Sequence, residues 1–136
     1  MNTYMALIVG LFIWKHFVFD FVLQTRWIGV GKFKDGIRNW FMPLLIHCLI
    51  NASGTALILL CMHRKDLMWL AYAEIAVHFI IDRGKVFINK SYEWTHLDEE
   101  YWVLIGLDQA CHYTWYLYVC TYLIGVEMWM NLANIA

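Results

Sequence analysis

Four stretches of this chain, about residues 4–23, 40–62, 67–88 and 101–125, are each long and apolar enough to cross a lipid bilayer. A spanning helix needs about 20 predominantly apolar residues to match a hydrocarbon core of about 30 Å. The expected fold is therefore all-α, a four-transmembrane-helix bundle in one integral membrane domain over residues 1–136. Composition agrees: 62% of residues are hydrophobic and only 15% charged, with a mean hydropathy of +0.53. A soluble domain carries about 25% charged residues, so this chain lacks the polar surface to cover itself in water. A formal net charge of −1 argues against a nucleic-acid partner, which would call for a basic face; membrane lipid is the expected partner. A homo-oligomer is compatible with the sequence.

The connections fit that plan. Residues 25–39 mix Arg26, Lys32, Lys34 and Arg38 with Trp27, Ile28, Phe33 and Ile37, which suits a loop or short helix in the headgroup region. The glycines there disfavour a long regular helix. His63 to Asp66 form a tight polar turn, so the second and third helices should be antiparallel neighbours. Residues 89–100 are polar and solvated, and the tail after Gly125 is too short to span again. No basic n-region precedes the first apolar stretch, so it is expected to be a retained helix and not a cleaved signal peptide. Cys48, Cys61, Cys111 and Cys120 all sit in apolar runs without C-x-x-C spacing and read as buried thiols.

Lys and Arg are enriched in cytoplasmic loops. Arg26, Lys32, Lys34, Arg38, Arg83, Lys85 and Lys90 flank the first and third connections, against Arg64 and Lys65 on the other side. This predicts an inner-membrane protein with both termini outside. Trp27, Trp40, Trp94 and Trp102 would form the inner interfacial belt, with Trp69 and Trp129 at the outer one.

Against this apolar background one polar pattern recurs. His16-Phe-Val-Phe-Asp20 and His78-Phe-Ile-Ile-Asp82 carry the same spacing, and Asp108-Gln-Ala-Cys-His112 carries it reversed. Residues four apart share one helix face about one turn apart. A helix entering from the cytoplasm needs the reversed order to stack in the same vertical sense as the two that exit. Counted from the cytoplasmic ends, His16, His47, His78 and His112 fall at similar depth, with each Asp one turn nearer the cytoplasm. Ionisable groups inside a membrane are costly and face the bundle interior, paired or metal-bound. A helical bundle presenting His and carboxylates from facing helices is a known way to hold one or two metal ions. Mixed N and O donors point to a divalent transition metal, zinc first, with manganese or iron as alternatives.

The expected ligand set is His16, Asp20, His47, His78, Asp82, Asp108 and His112. A lone histidine on an apolar helix is more often a packing residue; three repeats of one spacing at matched depth outweigh that. His63 and His96 lie in connections and are read as ordinary. Glu74, one turn beyond His78, is either a further ligand or a snorkelling residue. Gln24, Asn51 and Gln109 are amides placed to orient a ligand or bind substrate. Lys85, three residues after Asp82, is either a site for a substrate anion or an interfacial anchor like Arg83.

The ordered set HFVFDFVLQT, a His in the second helix, HFIIDRGK and DQACH resembles the signature of a domain-of-unknown-function family of small membrane proteins from bacteria and their phages. The resemblance covers about residues 10–115. A looser similarity extends to metal-dependent membrane hydrolases and the all-helical zinc phospholipase C and nuclease group, although the chain begins with Met1 and not with the tryptophan ligand of the secreted enzymes. That likeness implies a zinc cluster held by the same seven residues.

The leading functional expectation is a metal-dependent hydrolase acting on a phosphoester or phospholipid-like bond at the cytoplasmic leaflet. Metal would activate water, Asp20, Asp82 or Asp108 would bridge ions or act as general base, and Lys85 would neutralise the substrate anion. The alternatives are a channel or carrier for divalent ions or protons, and a regulatory membrane protein whose bundle is stapled by metal. The outer half offers few polar groups beyond Lys15, Glu74, Thr55 and the patch at residues 51–53, which disfavours a carrier. Haem is disfavoured by carboxylates one turn from three of the four histidines.

Overall fold

A computed structural model describes residues 3–133, with side chains as far as Val126. All regular structure among the described residues is helical, without strands. Helix α1 (Thr3–His16) runs directly into a π-helical segment, Phe17–Val22. There follow α2 (Arg26–Gly31), α3 (Ile37–Cys61), α4 (Trp69–Tyr92) and α5 (Glu99–Ala133).

The first apolar stretch is thus not a uniform α-helix. From Phe17 the backbone changes to the wider i→i+5 pattern, which closes with Leu23 N–H donating to Val18 O at 2.9 Å. Such segments occur chiefly as single turns and often at functional sites. Here it begins immediately after His16 and contains Asp20. Residues 25–39, expected as a loop or short helix, include the short helix α2, which Thr25 caps by accepting from Ile28 N–H at 3.4 Å. Gly31 closes α2 onto α3, since a Cβ there would stand 2.5 Å from Pro43 Cγ.

Helices α3 and α4 are antiparallel neighbours, as the tight turn predicts. Arg64 forks onto Asp66 within it, at 3.0 and 2.8 Å. The fourth helix corrects the expectation of a break at Gly125, because α5 continues to Ala133. One interior glycine costs a helix only about 1 kcal/mol, and the apolar residues on both sides carry it through. Trp129 lies outside the described side chains. The thiols also differ from expectation. Cys48 and Cys120 are buried, whereas Cys61 and Cys111 are exposed on outer helix faces, and all four are free.

Two helices are long and apolar enough to cross a membrane: Thr3–Val22, with mean hydropathy 1.8, and Ile37–Cys61, with 2.0. The expected four spans are therefore two by this measure. Glu74, Asp82, Arg83, Lys85 and Lys90 lower α4, and histidine, tyrosine and tryptophan dilute α5. Burial sorts these residues by face. On α4 the inward stripe is Ala71, Glu74, His78, Asp82 and Val86, while Tyr72, Ile80 and Phe87 are exposed. On α5 Leu104, Asp108, His112 and Tyr116 point inward, while Val103, Leu107 and Leu117 are exposed. At the level of these residues the described bundle is polar inside and apolar outside.

The interior divides into two zones. An apolar cluster including Ile8, Phe12, Leu59, Leu70, Val119 and Leu123 fills the end near the α3–α4 turn. The polar zone lies toward α2, at the end where Lys90 of α4 pairs with Asp35 of the first connection.

Candidate metal centre

Four histidines from four helices meet in the polar zone. His16 comes from α1, His47 from α3, His78 from α4 and His112 from α5, and none is more than 1% exposed. Ring centroids lie 4.2 Å apart for His78 and His112, 4.9 Å for His47 and His78, and 5.1 Å for His16 and His112. The matched depth inferred from helix lengths is therefore real contact.

The carboxylates reach across the bundle more closely than along their own helices. Asp20 Oδ1 lies 2.8 Å from His47 Nε2 and 3.2 Å from His78 Nε2, whereas its helix neighbour His16 stands 3.8 Å away. Asp82 lies 3.4 Å from both His47 and His112. Asp108 is 3.8 Å from His112 on its own helix.

Two overlapping triads result, Asp20–His47–His78 and His78–Asp82–His112. In each, one ligand atom per residue lies within 4.8 Å of the others. Both ring nitrogens of His47 and His78, and Nε2 of His112, are buried without an aligned hydrogen-bond partner. The 2.8 Å approach of His47 to Asp20 is close enough for a hydrogen bond but lacks its direction. Imidazoles normally engage at least one nitrogen when buried. Nitrogens and carboxylate oxygens that converge without bonding one another are the donor set a divalent transition metal takes, and these clusters could hold such an ion.

Five of the seven expected ligands thus belong to triads. His16 Nε2 and Asp108 Oδ2 are engaged through Gln109, while Asp108 Oδ1 is buried without a hydrogen-bond partner. The Gln109 NH₂ donates to Asp108 Oδ2 at 2.9 Å, because a carboxylate can only accept. This turns Gln109 Oε1 toward His16 Nε2 at 3.0 Å, so that Nε2 carries the proton. Asn51 Nδ2 lies 3.4 Å from Asp20 Oδ1 and 3.3 Å from its own helix's His47 carbonyl, which fits a residue that orients Asp20. Gln24 falls beyond the π-helix with its amide against Gly29, away from the triads.

Two lysines complete the site, Lys32 buried and Lys85 half-buried. Lys85 Nζ donates to Asp108 Oδ2 at 2.8 Å and stands 3.6 Å from Asp82 Oδ1. Lys32 Nζ donates to Asp82 Oδ2 at 2.6 Å. Lys32, grouped above with the headgroup-facing cations, is 5% exposed. The missed signal was local: Ile28, Gly31 and Lys32 share one face of α2, and all three are buried. Arg83, by contrast, covers the ring of Trp40 at 3.8 Å.

The chain matches, over residues 7–135, the family described as "Protein of unknown function (DUF3307)". It belongs to that family. The match takes in every residue of the site, from the π-helix through α5. No curated protein matches the chain, and no solved structure does.

Beyond the histidines, the family-matched region holds a second buried polar layer. Lys15 pairs with Glu74. Tyr116 donates to Glu74 Oε1 at 2.9 Å, accepts from Lys15 at 3.1 Å, and lies 3.4 Å from His16 Nδ1. Glu74 is thus the partner of a lysine and a tyrosine, neither a snorkelling residue nor a member of a triad. Gly54 admits the lysine stem, since a Cβ there would stand 2.8 Å from Lys15 Cε. Tyr116 had no sequence signal beyond its place one turn after His112.

Proposed function

We propose that this chain is a metal-dependent hydrolase built into a four-helix membrane bundle, acting on a phosphoester or phospholipid-like substrate at the cytoplasmic leaflet. The observation that carries the reading is the pair of His/Asp triads sharing His78, with buried imidazole nitrogens that have no aligned partner. Zinc, manganese or iron would suit these donors. His47, His78 and His112 with Asp20 and Asp82 would hold one or two such ions. A bound ion supplies polarisation of a phosphoryl oxygen and an acidified water.

The membrane setting rests on the inverted surface. Glu74, Asp82 and Asp108 on α4 and α5 point inward and large apolar side chains outward, so the outer faces suit lipid even where the helix average does not. Orientation rests on Arg26, Lys34, Arg38, Arg83 and Lys90 at the site's end. Lys32 and Lys85 no longer count toward it, being turned inward onto the site's aspartates. A channel or carrier is disfavoured because the apolar cluster around Phe12, Leu59 and Leu123 closes the opposite end of the polar zone. Metal stapling of a non-catalytic bundle is the second reading, favoured by how completely the histidines are buried.

Elemental analysis of detergent-purified protein, combined with turnover of labelled phospholipids and phosphodiesters in mixed micelles, tests both. Bound transition metal with metal-dependent turnover supports the hydrolase. Metal without turnover of any phosphoester supports the staple, and a well-folded metal-free protein ends the metal reading.

A further inference from the structure

We propose that Lys32 and Lys85 form a phosphate-binding cradle that becomes available when a divalent cation takes Asp82. The inference rests on the metal reading above and adds the class of ligand and the residues that hold it.

The two ammonium groups flank one carboxylate: Lys32 binds Asp82 Oδ2 at 2.6 Å, and Lys85 lies 3.6 Å from Oδ1. Asp82 is also a member of the triad with His78 and His112. It cannot serve both roles fully, because a divalent cation on its oxygens repels the ammonium groups beside it and removes their counter-charge. With neutral imidazoles, Asp20, Asp82 and Asp108 against Lys32 and Lys85 leave the buried cluster one negative charge. One divalent ion turns that to one positive. A net positive cluster largely shielded from water is costly without a counter-charge, and two lysines next to a metal suit the oxygens of a phosphoryl group.

Both lysines are held where they stand. Lys32 is fixed by the docking of α2, whose Gly31 lies on the ring of Pro43. Lys85 has an approach from outside: together with Gly84, Ile88, Leu104 and Asp108 it lines a groove of about 150 Å³ between α4 and α5. The groove is otherwise apolar, and a Cβ at Gly84 would meet nothing within 4 Å. A free phosphate and a lipid phosphomonoester offer the same oxygens, and only the lipid also has chains for the groove.

The test uses the full chain in detergent, metal-loaded or chelator-stripped, with metal content and phosphate binding measured separately. Inorganic phosphate is titrated calorimetrically, and phosphatidic acid is presented in nanodiscs. Metal loading should tighten phosphate binding by about tenfold or more, the scale of a charge-assisted hydrogen bond. Lys32→Met and Lys85→Met should each weaken it by a similar factor, while Arg38→Met, on an exposed side chain, should not. The same lysine variants should hold metal at least as tightly as the parent, because a competing cation is gone. A merely structural role would weaken both affinities together. Lys32→Arg and Lys85→Arg keep the charge and should retain binding, which guards against loss through misfolding. Tighter binding of phosphatidic acid than of phosphate identifies the lipid as the source, and the reverse identifies free phosphate. Metal bound normally, with phosphate affinity unchanged in both Met variants, overturns the cradle alone; a wild-type protein that takes up no metal overturns the cradle together with the metal reading.

Discussion

His47 Nε2 stands 2.8 Å from Asp20 Oδ1 across the bundle, while His16, one turn from Asp20 on its own chain segment, stands 3.8 Å from Oδ2. The site is therefore joined between helices, and the spacing of four within each helix only delivers residues to the right depth. This separates the histidines by role. His78→Ala removes the residue common to both triads and should abolish stoichiometric metal, whereas His16→Ala, which removes a partner of Gln109 and Tyr116, should retain it. Elemental analysis alongside thermal melting in detergent checks this. Equal loss in both variants, with both still folded, would make His16 a ligand as well.

The contact between Gly31 and Pro43 makes a second prediction. A Cβ at residue 31 would stand 2.5 and 2.7 Å from Pro43 Cγ and Cβ, and a proline ring does not swing aside. Gly31→Ala should push α2 from α3 at a cost of about 1–3 kcal/mol, read as a lower melting temperature. Gly84→Ala, in open space and inside a helix, should be neutral or slightly stabilising. If the two melt alike, the packing of α2 is looser than this contact implies.

How much of this was legible in the sequence follows from what periodicity encodes. The spacing of His78 and Asp82, and of Asp108 and His112, gives the inward face of α4 and α5 directly, and helix lengths give depth. Neither says which atom meets which. His16 and Asp108 have the right face and depth, but His16 Nε2 meets Gln109 and Asp108 gives Oδ2 to Lys85 while Oδ1 keeps no partner, an arrangement decided between helices. The π-helical turn at Phe17–Val22 shifts a hydrogen-bond register by one residue, which alters no pattern of polar and apolar residues. Lys32 was misplaced because a cation among aromatic residues in a connection looks like a headgroup anchor until the burial of Ile28 and Gly31 shows which way that face points.

Outside the membrane-like segments, the turn before α5 has its own pH dependence. Asp98 accepts from Thr95 N–H at 2.7 Å and from Thr95 Oγ1 at 2.9 Å. The backbone bond first, then the hydroxyl, hold its carboxyl below the usual carboxylate range. A depressed folded pKa means that the turn's contribution is complete above the unfolded value, about 3.9, and is lost as pH falls through the folded one. The Thr95 amide resonance should stay constant from neutral pH down through about 4 and shift only below it, and Asp98→Asn should remove the transition. A Thr95 shift centred at or above the ordinary aspartate value would count against the bond.

The pair Lys15–Glu74 shows how the second polar layer is held. Both side chains are nearly inaccessible, and Tyr116 bonds to each. Removing one partner leaves a buried charge without its counter-ion, which typically costs about 3–5 kcal/mol. Lys15→Met and Glu74→Gln should therefore each lower the melting temperature strongly. The double variant removes both charges and keeps comparable volume, so it should recover most of the loss, since a buried pair is often worth little more than an apolar replacement. Tyr116 would keep a hydrogen-bond acceptor in the glutamine carbonyl. Differential scanning of the three variants closes the cycle: losses that simply add would mean that the two groups are solvated separately, and that the layer is not one ion pair with a tyrosine across it.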